Sequence, residues 1–199
     1  DYITWLPEFE ALIDHSNVLV YGSLASRNEP SAKTLLKLLE SDLYKVFDVN
    51  LRAPHYRFEV IDNLLKCADL LKLNAEELNI ISNWYDTSLQ DEQEQVSFLF
   101  SRFQVAEILI TKGAKGASYY TRGMVLHSTA FQIEVNDTIG SGDAFLAAFI
   151  CKKLEHAEAK NTLDYAVAMG AFIATQSGAC PPYQKEEFED FIVARRPEN

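Results

Sequence analysis

Ten residues, NDTIGSGDAF from Asn136 to Phe145, set two glycines between two aspartates just ahead of the apolar run AFLAAFIC. Glycine is costly to order, so a Gly-x-Gly pair at a helix entrance indicates backbone that must come close to something. The first amides of a helix lack intrahelical acceptors, and together with the helix dipole they form an anion site. Gly140, Ser141 and Gly142 would turn those amides toward a phosphoryl group carrying developing charge. Asp143 beside them could accept the proton of a hydroxyl as it attacks phosphorus. A plainer reading stands next to this one, with Asp143 complementing the dipole and Gly142 making a turn.

Two further stretches have the same double character. Asn74-Ala-Glu-Glu77 has the spacing of a capping box, an N-cap side chain answered by a glutamate three residues later. The same two side chains would suit the waters of Mg²⁺, which prefers oxygen and dehydrates reluctantly. TKGAKG, Thr111 to Gly116, could be a tight loop between strands, or Thr111 and the amides near Gly113 could meet a nucleotide phosphate, with Lys112 and Lys115 adding positive charge. Two common nucleotide motifs are excluded. G-x-x-x-x-G-K-[ST] is absent, and GSGDAF fails G-x-G-x-x-G because its last position is Phe145.

These stretches need elements to position them, and the chain alternates short apolar runs with helical ones. VLVYG (18–22), YKVFDVN (44–50), DLLKLN (69–74) and EILITKG (107–113) read as strands. Helical stretches accompany them: SAKTLLKLLESD with Ser31 as N-cap, EVIDNLLKCA, AEELNIIS and EQEQVSFLFSRF. Nearly all-apolar strands in that rhythm predict an α/β fold of three layers, a mainly parallel sheet covered on both faces. GASYYTR, MVLHS and FQIEV then suggest antiparallel strands at one edge. The helices AFLAAFICKKL, TLDYAVAMGAFIATQ and EEFEDFIVARR follow. In such a sheet ligands bind outside the carboxyl ends of the strands. Those ends carry Gly22-Ser23, Asp48 with Asn50 and Arg52, Asn74 with Glu77, and Thr111 with Gly113. Loops are polar in any case, so this clustering alone does not decide.

The bulk composition bounds the partners. The chain has 199 residues and a formal charge of −11, which speaks against a general nucleic-acid binder and leaves room for a local anion site built from backbone. We expect one domain over 1–199. Cys67, Cys151 and Cys180 are odd in number and far apart, and the four histidines make no zinc spacing with them, so buried free thiols in a reducing, cytoplasmic setting are expected. No apolar run is long enough for a membrane helix, and DYITWLPEFE is no signal peptide.

Together these residues resemble the ribokinase-like (PfkB) carbohydrate kinases. NDTIGSGDAF is similar to the family's D-T-x-G-A-G-D signature, with Ser141 in place of alanine. Asn74 to Glu77 resembles its N-x-x-E motif, and Thr111 to Gly116 its T-x-G-x-x-G loop. FDVNLRAPHY and GSLASR look most like the fructokinase branch. The resemblance implies transfer of the ATP γ-phosphate to a sugar hydroxyl, fructose foremost, by in-line displacement. By position, Asp143 would be the base and Gly140, Ser141 and Gly142 the anion hole. Asn74 and Glu77 would serve the magnesium network, Glu77 through water. Thr111, Gly113 and Gly116 would hold the nucleotide, and Asn50 and Arg52 would lie near the phosphate or the sugar. Asp137, with carbonyls around Ile139 and Gly178-Ala179, would frame a monovalent cation such as K⁺. The resemblance also implies a first third, with further sheet strands and a lid, ahead of Asp1, and a homodimer formed through that lid. Where many relatives bring an asparagine toward adenine, this chain has Val167. Another alcohol as acceptor, or a non-catalytic nucleotide-binding fragment, are the rival expectations.

Overall fold

The computed structural model describes residues 2–195. Six strands form one sheet in chain order: β1 (Val18–Gly22), β2 (Tyr44–Asp48), β3 (Leu70–Asn74), β4 (Glu107–Thr111), β5 (Ala117–Thr121) and β6 (Val125–Ser128). β1 pairs parallel with β2, and β2 parallel with β3. The helices are α1 (Glu8–Asp14), α2 (Glu29–Leu38), α3 (Phe58–Leu65), α4 (Ala75–Asn83), α5 (Glu92–Arg102), α6 (Ser141–Leu154), α7 (Ala159–Ala174) and α8 (Lys185–Arg195). The expected final residue of the last helix, Arg196, lies outside the described residues. Two compact units make up the chain. One runs to Ile110 and takes in Tyr120–Gly123; the other holds Thr111–Tyr119 and the chain from Met124 onward.

The first unit is built on strands that are mostly apolar at their centres, as burial on both faces requires. Phe47, Leu71, Leu73, Ile108 and Ile110 pack with Ile61 of α3, Leu78 and Ile81 of α4 and Leu99 of α5. One ion pair interrupts this apolar sheet. The parallel register sets Asp48 beside Lys72, and Lys72 Nζ lies 2.9 Å from Asp48 Oδ1 with both residues buried. Desolvating two charges costs several kcal/mol, of order, unless each keeps its partner. β1 ends the sheet, and Val20 on it is half exposed. Coverage on both faces therefore holds for β2 and β3 and not for β1.

In the second unit, α6 buries Phe145, Leu146 and Phe149, and α7 is buried along much of its length. Phe188 and Phe191 of α8 close against Phe172 of α7, ring centroids 5.4 Å apart in each case. Gly170 lets α7 approach α6, since a Cβ there would come 3.2 Å from the Ser141 carbonyl oxygen.

Several expectations are corrected. FQIEV forms no strand. α2 begins at Glu29 with Asn28 as N-cap, and Pro30 falls within its first turn, a position that needs no N–H donor. Ser31 is therefore inside the helix, where its Oγ accepts from the Ile3 backbone N–H at 2.9 Å. α1 is a further element beyond those expected, seven residues long with none of them buried. The thiols are not buried: Cys151 and Cys180 are exposed and Cys67 is half-buried. No helix among the described residues is long and apolar enough to cross a membrane.

Candidate functional site

In the first unit the predicted residues sit where β2 and β3 end. Asn74 caps α4, and the capping box is complete: Glu77 N–H donates to Asn74 Oδ1 at 2.8 Å, and Asn74 N–H donates to Glu77 Oε2 at 2.9 Å. The other carboxylate oxygen, Oε1, accepts from Leu51 N–H at 2.8 Å. Glu77 thus ties the end of β3 to the segment after β2. Burial pushes its carboxyl above the usual range, while the two backbone donors and the Lys72 charge pull the other way and Asp48 adds to the rise. Hydrated magnesium keeps several waters. It fits this pair at one remove, since both Glu77 carboxylate oxygens and Asn74 Oδ1 already accept backbone N–H groups.

Asn50 has a left-handed backbone, φ 42°, a conformation that asparagine tolerates better than most residues. Arg52 is exposed, and its carbonyl accepts from His55 N–H at 2.7 Å. The structure therefore brings Asn50, Arg52, Asn74 and Glu77 into one hydrogen-bonded neighbourhood through Leu51.

In the second unit, Thr111 ends β4 and a short 3₁₀ turn spans Gly113–Lys115. Lys112 N–H donates to the Gly116 carbonyl at 2.8 Å, and Gly116 N–H to Gly113 at 3.0 Å. These bonds make the tight loop. Gly116 is dictated by its surroundings: φ is +86°, and a Cβ would meet the Ser128 carbonyl oxygen at 1.9 Å. Gly113, φ +54°, has open space where its Cβ would be. Lys112 Nζ donates to Ser118 Oγ at 2.5 Å, and that oxygen also pairs with His127 Nδ1 at 2.7 Å.

The entrance to α6 is braced by the chain that leaves α7. The Ala174 carbonyl accepts from Asn136 N–H at 2.9 Å and from Asp137 N–H at 3.2 Å. Asp137 Oδ1 accepts from Ile139 N–H at 3.0 Å, and Oδ2 from Gly178 N–H at 3.3 Å. Gly140 is the left-handed N-cap of α6, φ +79°. A Cβ on it would come 2.0 Å from the Ala179 carbonyl oxygen, so part of the glycine signal reflects this contact. Ser141 donates its hydroxyl to the Gly170 carbonyl at 2.8 Å. Among the cradle amides, Ser141 N–H donates to Thr138 at 3.2 Å. Gly142 N–H and Asp143 N–H have no acceptor among the described residues. Asp143 is exposed in the first turn of α6. Two undirected amides and an exposed carboxylate can bind an anion and take a proton beside it. Val167, by contrast, is buried within α7.

The sequence places Ser23 only at a strand end and within GSLASR, names Ala179 only as a carbonyl beside the expected cation, and gives no sign of Gly170 or Ala174. Each acts through backbone or one hydroxyl across 27 or more residues, with no local pattern to show it.

Comparison with known proteins follows from this geometry. Residues 2–186 match the family described as pfkB family carbohydrate kinase. The fructokinase of Klebsiella pneumoniae is 33% identical over 181 residues, 82% of this chain and 57% of that protein. Probable fructokinase-4 of Arabidopsis thaliana is 28% identical over 191 residues, 88% of this chain and 57% of that protein. The structure of Vibrio cholerae O395 fructokinase in fructose, ADP and calcium ion bound form aligns with a TM-score of 0.76 at 25% identity, covering 87% of this chain and 60% of that one. The ribokinase of Thermotoga maritima shares the fold, with a TM-score of 0.74 at 21% identity over 92% of this chain and 59% of that one. The chain spans about 57% of the length of these curated relatives. Its α/β fold is the ribokinase-like one.

Proposed function

The chain belongs to the pfkB family of carbohydrate kinases, and from that premise we propose that it carries the nucleotide-binding and catalytic part of a kinase moving the γ-phosphoryl group of ATP to a sugar hydroxyl, with fructose as acceptor. The reading is carried by the entrance to α6, where Gly142 and Asp143 leave their amides undirected and Asp143 exposes its carboxylate. The acceptor oxygen attacks phosphorus in line as the bond from phosphorus to the β,γ-bridging oxygen breaks. ADP leaves with that electron pair, and Asp143 takes the acceptor's proton. In the anion hole expected at Gly140, Ser141 and Gly142, the amides that stabilise charge on the phosphoryl oxygens are those of Gly142 and the adjoining Asp143. Thr111, Gly113 and Gly116 hold the nucleotide, and Asn50 and Arg52 the phosphate or sugar. Asn74 and Glu77 would hold magnesium through water, and the ion would supply charge neutralisation at the phosphates. Asp137 with neighbouring carbonyls is assigned to a monovalent cation.

The decisive variant is Asp143→Asn in protein made from the full reading frame. Loss of a general base lowers kcat by about 10²-fold or more, with KM for MgATP little changed. A kcat within about threefold of wild type would remove Asp143 from that role. A second reading is favoured by the chain's coverage of little more than half of its curated relatives: a nucleotide-binding fragment without turnover. Calorimetry with MgATP on the 199-residue chain, beside a turnover assay, separates the two.

A further inference from the structure

We propose that Ser23 is a positioning residue for the acceptor side of this reaction, acting by holding the peptide group between Asn50 and Leu51 in a left-handed turn. The inference rests on the kinase reading for its function and on geometry for its mechanism. Ser23 follows the last residue of β1 and is only 2% exposed. Its hydroxyl donates to the Asn50 carbonyl oxygen at 2.9 Å. The other end of the same peptide group, Leu51 N–H, donates to Glu77 Oε1 at 2.8 Å. One peptide plane is therefore gripped from both ends, by side chains that reach it from just past β1 and from the first turn of α4.

That grip has a conformational purpose. Asn50 holds φ 42°, a conformation unfavourable for an L-residue, and a strained backbone persists only where its surroundings over-determine it. The bonds on either side supply that determination. Val49 adds to it, its carbonyl accepting from Ser23 N–H at 3.4 Å and its N–H donating to Lys72 at 3.1 Å. Gly22 permits the approach, since a Cβ there would lie 3.2 Å from the Asp48 carbonyl oxygen. Fixing this peptide sets where the Asn50 side chain and the following Arg52 begin. Ser23 itself is buried, so it is assigned to act through this peptide group.

The test uses Ser23→Ala. Losing one bond of this kind, about 1 kcal/mol, should raise hydrogen exchange of the Leu51 amide roughly fivefold in the 199-residue chain and leave the Leu71 amide unchanged. In protein from the full reading frame, with fructose and MgATP as probes, kcat/KM for fructose should fall by a similar factor of roughly five while KM for MgATP stays within about twofold. Faster Leu51 exchange with unaltered fructose kinetics would overturn the positioning role, and unaltered exchange would overturn the clamp. A wild-type protein that phosphorylates no alcohol would instead sink the kinase reading and the acceptor role with it. The exchange measurement still judges the clamp in that case.

Discussion

Gly140 and Ser141 stand side by side at the mouth of α6 yet answer to different neighbours. Gly140 combines φ +79° with a carbonyl oxygen 2.0 Å from where a Cβ would be. Gly140→Ala must therefore move the loop at Ala179 as well as strain its own backbone, and should cost at least about 2 kcal/mol. Ser141→Ala removes a hydroxyl whose acceptor, the Gly170 carbonyl, lies within a helix, and should cost about 1 kcal/mol. Urea unfolding of the two variants checks both the order and the gap, and equal losses would contradict the contact at Ala179. The glycines and aspartates stood out in the sequence because few other residue types permit these turns or would serve the proposed proton transfer. What stayed hidden were their anchors. The resemblance set Gly178 near Asp137 only through carbonyls and a cation, with no sign that the Gly178 N–H would donate to it, and nothing near Asn50 says that Ser23 will hold its carbonyl.

Helices α3 and α5 are tied through one carboxylate. Asp62 on α3 accepts from Tyr85, just past α4, at 2.6 Å, pairs with Lys66 at 2.5 Å, and lies 4.0 Å from Arg102 on α5. Burial would raise its pKa, but the Lys66 and Tyr85 hydrogen bonds and the charges of Lys66 and Arg102 outweigh that and hold it below the ordinary aspartate value. The unfolded chain then takes up this proton first as pH falls. Its contribution is present above the ordinary aspartate range and is lost as pH drops through the depressed value. Thermal melts from about pH 5 to about pH 3 should show wild type losing Tm more steeply than Asp62→Asn; parallel slopes would deny the network its role. At this scale the sequence was most informative for the buried strands. VLVYG matches β1 end to end, and the other three apolar runs differ from β2, β3 and β4 by one or two residues at their ends. It misled where a pattern lacked its partner. FQIEV alternates as a strand would, yet alternation cannot reveal whether a neighbour offers hydrogen bonds. Short α1 failed in the opposite sense, helical without a buried face.

Across the whole chain, the formal charge of −11 repels anions at long range, so the proposed binding of a nucleotide would depend on local amides and the metal ion it brings. A ligand that binds only the folded state stabilises it by about 2.7 kcal/mol at a hundredfold excess over Kd. MgATP should accordingly raise Tm of the 199-residue chain, whether or not turnover occurs, and ATP with chelator should raise it less. No shift at millimolar nucleotide would argue against the binding half of the proposal. The brace at α6 bears also on transplantation. Because Asp137 and Gly140 are shaped by Ala174, Gly178 and Ala179, the portable unit is two pieces of chain. A graft of residues 136–145 alone into another scaffold would carry the signature letters and leave the anion grip behind.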